Sequence, residues 1–486
     1  VFSGTYNENI DLLGKALIIA SEYYISGDTS QISSTVIDGQ SNGSVVTISN
    51  VDDSQIKLVG LTIQNGYSQY GGAVYSINSN LFLESLIILN NNSTSNGGGL
   101  YLNGGNPNLS SITFSNNAAA AYGGAIYMQN NSSAILNKLT IDNNSAENGA
   151  GIAMSSSNPT MTNLVLSNNS ADSTGGAIAL YSNSNPGLYN IVIHNNYAGQ
   201  YGGAIYSTNS NVTIGNSTIV DNQSEFHGGA LNLSDGSNVE AINSIIYNNV
   251  PDQMYISDVN DLLNISHSNI EGGLYGINYS HETSSSSESL VSWDSSNIDI
   301  NPLFNNINNN DYQLSDYSMS IGVGDISTSF SVDINGVNRP TPLGTAPDLG
   351  AYENLRSVPD VWLTLANDQF FMNEDSDLLF NPVSNDSIVN FHLVNLAILD
   401  SAEHGSVAII SDSTITYQPN ENYFGKDTIV YAFDNVERRD SAITVITIYM
   451  LDDDPPVITS SSTSFAVEDQ TYNYSYEGYD PDMSTN

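Results

Sequence analysis

A block of small residues returns along the first half of this chain at a nearly constant interval, and that interval limits the fold more than any other feature. The blocks begin at Gly71, Gly97, Gly123, Gly149, Gly175, Gly202 and Gly228, spaced 26, 26, 26, 26, 27 and 26 residues apart. Each block after the first is preceded by an apolar residue, two spacers and an asparagine: Ile88/Asn91, Phe114/Asn117, Ile141/Asn144, Leu166/Asn169, Ile193/Asn196 and Ile219/Asn222. The pattern recurs once more as Ile246/Asn249. A unit of this length cannot bury its own apolar side, so it must stack on its neighbours.

Between these signatures the apolar residues alternate, as in Leu61 and Ile63 or Leu139 and Ile141, which is the period of a strand. Val74, Leu100, Ile126, Ile152, Ile178, Ile205 and Leu231 each follow a small block. An invariably apolar residue there suits a narrow lumen, with the glycines permitting the corner. Stacked asparagines (Asn91, Asn117, Asn144, Asn169, Asn196, Asn222 and Asn249) can bond along the solenoid axis to backbone groups left open by the bend. The expected architecture is all-β: a right-handed, single-stranded parallel β-helix, with regular coils over about 60–250.

Charge narrows the functions. The chain carries 51 acidic residues against 8 Lys and Arg, a formal charge of −43, so it repels phosphate backbones and anionic headgroups. No nucleic-acid partner is expected. There is no apolar run long enough to span a bilayer. The absence of cysteine removes disulfides, thiolate catalysis and zinc–thiolate sites. The chain opens at Val1 without the basic and apolar stretches of a secretory signal, and we read that start as processed or truncated.

The motif Phe114-x-x-Asn117 followed by Gly123-Gly124-Ala125-Ile126 resembles the repeats of chlamydial polymorphic outer-membrane proteins. Gly4-Thr5-Tyr6, Val36-Ile37-Asp38-Gly39 and Leu61-Thr62-Ile63 are similar to the first coils of secreted bacterial β-helix proteins. Asn301-Pro302-Leu303-Phe304, Asp311-Tyr312, Asp333 to Pro340 and Asp348 to Glu353 resemble the close of β-helix domains called choice-of-anchor Q. These similarities imply a β-helix domain over 1–354, with 251–354 as its closing segment. Further on, Asn373-Glu374-Asp375, His404-Gly405, Ile415-Thr416-Tyr417 and Asn422-Tyr423-Phe424-Gly425 resemble cadherin-like, Ig-like tandem domains of bacterial surface proteins. That resemblance implies a β-sandwich over 355–454 and the incomplete start of another over 455–486, with the natural chain continuing.

No catalytic residues are assigned. In the coils Lys138 and Asp142 lie four apart, which on alternating faces puts both on one side, and a surface salt contact is the preferred reading. The coil acids are scattered, without the paired carboxylates of a glycoside hydrolase. His194 and His227 fall near corners of adjacent coils, as hydrogen-bonded loop residues do. Tyrosine is more suggestive. Tyr75, Tyr101, Tyr127 and Tyr206 share one repeat position facing outward, and Tyr70, Tyr122 and Tyr201 recur at a corner. Such rings either stack on sugars or a partner protein, or simply form a ladder that protects the sheet. Acidic residues concentrate in the C-terminal half. Glu374, Asp375, Asp452, Asp453, Asp454, Asp480 and Asp482 are calcium candidates, beside the plainer reading of a solvated acidic surface.

These readings converge on a bacterial extracellular or cell-surface modular adhesin. Its partner would be an extracellular glycan or a surface protein of a host or neighbouring cell, with calcium as the cofactor. The alternatives are a polysaccharide lyase or hydrolase on the β-helix, and an extracellular filament subunit self-associating through the solenoid ends.

Overall fold

The computed structural model describes the chain apart from residues 52–55, 281–289, 361, 390–394, 412, 435–438, 452–454, 462–466, 474 and 480–486. It divides into two compact units, Val1–Pro359 and Asp360–Asn486.

The first unit is a parallel β-solenoid. Its coils contribute to a 20-stranded sheet, a 7-stranded sheet and an 11-stranded sheet. In the last of these, Val74–Ile77, Leu100–Asn103, Ile126–Gln129, Ile152–Ser155, Ile178–Tyr181, Ile205–Thr208 and Leu231–Ser234 pair in parallel and in register. The residue that opens each of these strands is almost wholly buried in one continuous apolar core running from Leu12 to Leu290.

Two local devices turn the coil. At the block, the first glycine is left-handed, as at Gly123 (φ 68°), and the second lies against the next coil. A Cβ on Gly124 would meet the Ala150 carbonyl oxygen at 2.4 Å, which explains why small residues recur here. At the other corner the residue before each stacked asparagine is also left-handed: Asn90, Asn116, Asn143, Asn168, Asn195, Asp221 and Asn248 have φ of 54–56°. Asparagine and aspartate tolerate that conformation better than other side chains. The turn is therefore a two-residue device, the first residue bending the chain and the second bonding inward.

Residues 301–354 do not continue the coil. They return along the outer face of the broad sheet, where Tyr312 and Ala351 cover Val192 and Val220, and Leu314, Ile321 and Leu349 pack against Ile245. Asn190 and Asn243 donate to the carbonyls of Val332 and Asp325, Asn216 to the Ser329 hydroxyl, and Ala351 N–H to Thr218 Oγ1. This returning strap closes on a buried ionic knot. The Arg339 and Glu353 side chains lie 3.1 Å apart with no exposure, and Arg339 donates to the Gly350 carbonyl. Asp333 accepts from the N–H groups of Asn335, Val337 and Glu353, and Asp348 from those of Gly322 and Asn354.

The second unit holds a 4-stranded sheet ordered Asp368–Asn373, Arg439–Tyr449, Gly425–Asp434 and Asn395–Asp400, with a 3-stranded sheet of Leu378–Phe380, Thr414–Pro419 and Gly405–Ser411. Phe380, Ile415, Tyr417, Ile429, Tyr431, Phe433 and Ile446 fill its core. Tyr431 Oη is bonded to the Pro382 carbonyl and to Asp386, and Tyr417 Oη to Asp427, so both buried phenols are satisfied.

Candidate functional site

The asparagines Asn91, Asn117, Asn144, Asn169, Asn196, Asn222 and Asn249 form an unbroken buried ladder. In each rung the side-chain oxygen accepts from the backbone N–H and the side-chain amide of the asparagine one coil earlier, as Asn169 Oδ1 does from Asn144 at 3.0 Å for both. The amide nitrogen reaches a strand carbonyl, here Ile141 at 2.9 Å. The ladder starts at Gly66, whose N–H donates to Asn91 Oδ1 in place of a missing side chain, and ends where Asn249 donates to Gln253. Serines form comparable ladders at two other corners, Ser157–Ser184–Ser210–Ser237 and Ser217–Ser244–Ser268, which the sequence reading did not pick out.

The outward tyrosines gather into one belt. Ring centroids are 4.9 Å apart for Tyr70 and Tyr101, 5.4 Å for Tyr75 and Tyr101, 5.7 Å for Tyr101 and Tyr127, and 5.9 Å for Tyr122 and Tyr127. The belt carries on through Tyr181, which lies 5.5 Å from Tyr122 and 6.0 Å from Tyr206. Tyr181 was not anticipated from the repeat, because it stands two residues beyond the tyrosine position. It packs on Ala153 and Ala179, where that position has lost its ring, and its hydroxyl lies 2.8 Å from Thr174 Oγ1. The two alanines were the signal in the sequence.

All these rings point away from the lumen, but they are not equally open. Tyr101 and Tyr127 are only 5% and 7% exposed, buried by their neighbours, while Tyr70, Tyr75, Tyr122, Tyr181 and Tyr206 are half-buried. Burial pushes the Tyr127 phenol up to about 12 and also raises that of Tyr101, so both stay neutral, Tyr127 donating to Gln129 and Tyr101 accepting from it. Tyr201 stands apart from the belt, 5.7 Å from the exposed Phe226.

Lys138 and Asp142 do not form the expected pair among the described residues. Both lie on the outward side of their strand, as the four-residue spacing implies, and the left-handed Ser111 and Lys138 interrupt the pairing just before that stretch, between two in-register segments. Asp142 instead accepts from Ser167, Asn168 and Asn143. His194 is buried beneath the strap against Tyr312, where loss of hydration lowers its pKa. His227 stacks on Tyr255 at 4.0 Å and lies 3.1 Å from Asp252. His194 ends a strand of the broad sheet and His227 stands at the glycine corner, bridged to Tyr201, so the two are not brought together.

Of the calcium candidates, Glu374 is buried and accepts the N–H of Leu451, tying two strand ends, and Asp375 accepts the N–H of Asn422. Asp452, Asp453, Asp454, Asp480 and Asp482 lie outside the described residues. Among the described residues no group of three His, Asp or Glu is arranged to hold a metal, and no helix is long and apolar enough to cross a membrane.

A parallel solenoid with an inward asparagine ladder, followed by an antiparallel sandwich, defines an all-β modular protein. The family model described as "Right handed beta helix region" matches residues 36–219 and, in a second overlapping placement, 162–292, which together are more than half of the sequence. The chain belongs to that right-handed β-helix family. The model described as "Bacterial Ig domain" matches residues 359–448. No curated protein matches the chain. The two domain types together suggest a surface or extracellular modular protein.

Proposed function

We propose that this protein is an adhesin-like binding module that engages a glycan or a cell-surface partner along the tyrosine flank of its solenoid. The observation that carries this reading is the belt from Tyr70 to Tyr206. Buried Tyr101 and Tyr127 lock a row of half-exposed rings in place, so little side-chain entropy remains to be lost when a ligand docks on them. Phenol tips alongside apolar ring edges suit sugars and polar protein surfaces alike. The acidic linkers beside the sandwich are the proposed calcium sites, stiffening the stalk that would present the solenoid.

The test is a glycan-array and cell-surface binding screen of the whole chain, with calcium and with chelator, followed by mass spectrometry of every glycan bound. Saturable binding without cleavage is expected, together with a rise in the melting temperature of the sandwich in calcium. Shortened or unsaturated oligosaccharides would overturn the reading in favour of an enzyme. An unchanged melting temperature would remove calcium from it.

A further inference from the structure

The column of outward residues that holds Tyr206 continues in register through Asn232 and Tyr255 to Asn278, and where it ends the surface opens into a cleft of about 340 Å³. That volume is at the low end of small-ligand sites, roughly 300–1,000 Å³. Its rim carries Tyr275, which at 98% exposure is the most open aromatic ring in the described chain. The ring is carried on a tight turn: Gly272 is left-handed (φ 78°), its carbonyl accepts from the N–H groups of both Tyr275 and Gly276, and a Cβ on Gly276 would meet the Glu271 carbonyl oxygen at 2.2 Å.

The polar wall of the cleft is equally fixed. Glu271 accepts from Asn248 N–H at 2.6 Å and from Gln253 Nε2 at 2.7 Å, both on Oε2, and among the described residues Oε1 accepts nothing. Asp252, nearly buried, is held by Gly228 N–H, His227 and Asn278, whose amide donates at 3.0 Å. One exposed planar ring on the rim of a cleft lined by fixed amides and carboxylates is a combination suited to a pyranose: the ring can cover the apolar C–H face, and the polar wall can take up the hydroxyls. Two carboxylates in the wall, on a chain of charge −43, exclude uronic acids and sulfated sugars.

We infer that the cleft between Asn248 and Asn278, with Tyr275 as its platform, is a binding subsite for an uncharged pyranose unit of an extracellular glycan. The inference rests on the adhesin reading and places one sugar at the end of the belt flank. It differs from binding on the belt itself, whose rings are largely occupied by one another.

The experiment uses the full chain and a titration series of neutral hexose and N-acetylhexosamine oligosaccharides, with uronic-acid oligosaccharides alongside, read by calorimetry. Tyr275→Ala is expected to weaken neutral-sugar binding roughly tenfold. Because that side chain is fully exposed, its melting temperature should equal that of the parent. Glu271→Gln tests the polar wall, with a loss of similar size. Unchanged affinity in both variants overturns the subsite while leaving the adhesin reading intact. If binding is instead lost on Tyr206→Ala or Tyr70→Ala, the sugar lies on the belt. Selective binding of uronic acids also overturns the subsite, as does a blank series from the parent protein, and the adhesin reading is then decided separately by the cell-surface screen.

Discussion

Asn169→Ala is the change that most directly tests what holds the coil corner. The Asn169 side chain makes four hydrogen bonds of 2.9–3.0 Å: two accepted from Asn144, one donated to Ile141 O and one to Asn196 Oδ1. Removal leaves the buried Asn144 N–H facing a methyl group and takes the side-chain donor from the Ile141 carbonyl. Each orphaned buried group costs about 1–3 kcal/mol, so the expected loss is about 2–6 kcal/mol before any cavity is counted. The comparison is Asn168→Gly. Asn168 is exposed and left-handed at φ 54°, a conformation glycine adopts freely, and its side chain makes an exposed bond to Asp142. That change is expected to stay within about 0.5 kcal/mol. Chemical denaturation gives the global number, and native-state hydrogen exchange at the Asn144 amide shows whether the damage is local, as expected of a solenoid whose coils contact only their neighbours. If Asn169→Ala costs no more than Asn168→Gly, the ladder is not what holds the corner.

Two further predictions follow from buried groups. Burial and the nearby Glu353 push the Asp348 carboxyl up to about 7, far above its ordinary 3.8. Native protein therefore binds that proton more tightly than unfolded chain, so the contribution is fully present below about pH 4 and is lost as pH rises through 7. Unfolding free energy should fall by on the order of 1 kcal/mol between pH 6 and pH 8. Asp348→Asn should flatten that slope, and an unaltered slope in the variant would locate the titration elsewhere. Sequence reasoning alone predicts that Tyr127→Ala weakens binding with little effect on stability, in contrast to Ile126→Asp in the lumen. With Tyr127 only 7% exposed, the expectation becomes a loss of about 3 kcal/mol, at the lower end for aromatic-to-alanine changes, measurable by equilibrium unfolding.

What the sequence made legible, and what it hid, divides along physical lines. The lumen was readable because every coil must fill the same narrow space, so Val74, Leu100, Ile126 and their successors repeat with the coil itself. The stacked asparagines were readable for the same reason. Their left-handed predecessors, such as Asn143 and Asn168, were overlooked although they recur just as regularly, because a polar residue in a turn is compatible with many conformations. Lys138 and Asp142 share the outward face as their spacing implies, but Asp142 is taken up by Ser167, Asn168 and Asn143, and spacing along one strand cannot show those neighbours. Tyr181 was missed because it restores a ring from a neighbouring position, and a search locked to one register cannot see that substitution.

The returning strap is the harder feature to see, because its signal is spread over single outward residues of successive coils. Outward positions of the broad sheet run Thr113, Thr140, Val165, Val192, Thr218 and Ile245. An apolar side chain at such a position gains by being covered and gains nothing in water. Val192, Val220 and Ile245 have that cover, and Tyr312, Ala351, Leu314 and Leu349 supply it. The same reasoning applied to the tyrosine flank separates two kinds of aromatic residue. Rings that repeat coil after coil, like Tyr101 and Tyr127, are explained by one another and serve the stack. Tyr275 follows no repeat, packs against no other ring among the described residues and stands almost fully in solvent beside ordered polar groups. The rings of the belt have a stability reason in one another and Tyr275 has none, which is why the search for a ligand extends past the belt to its end.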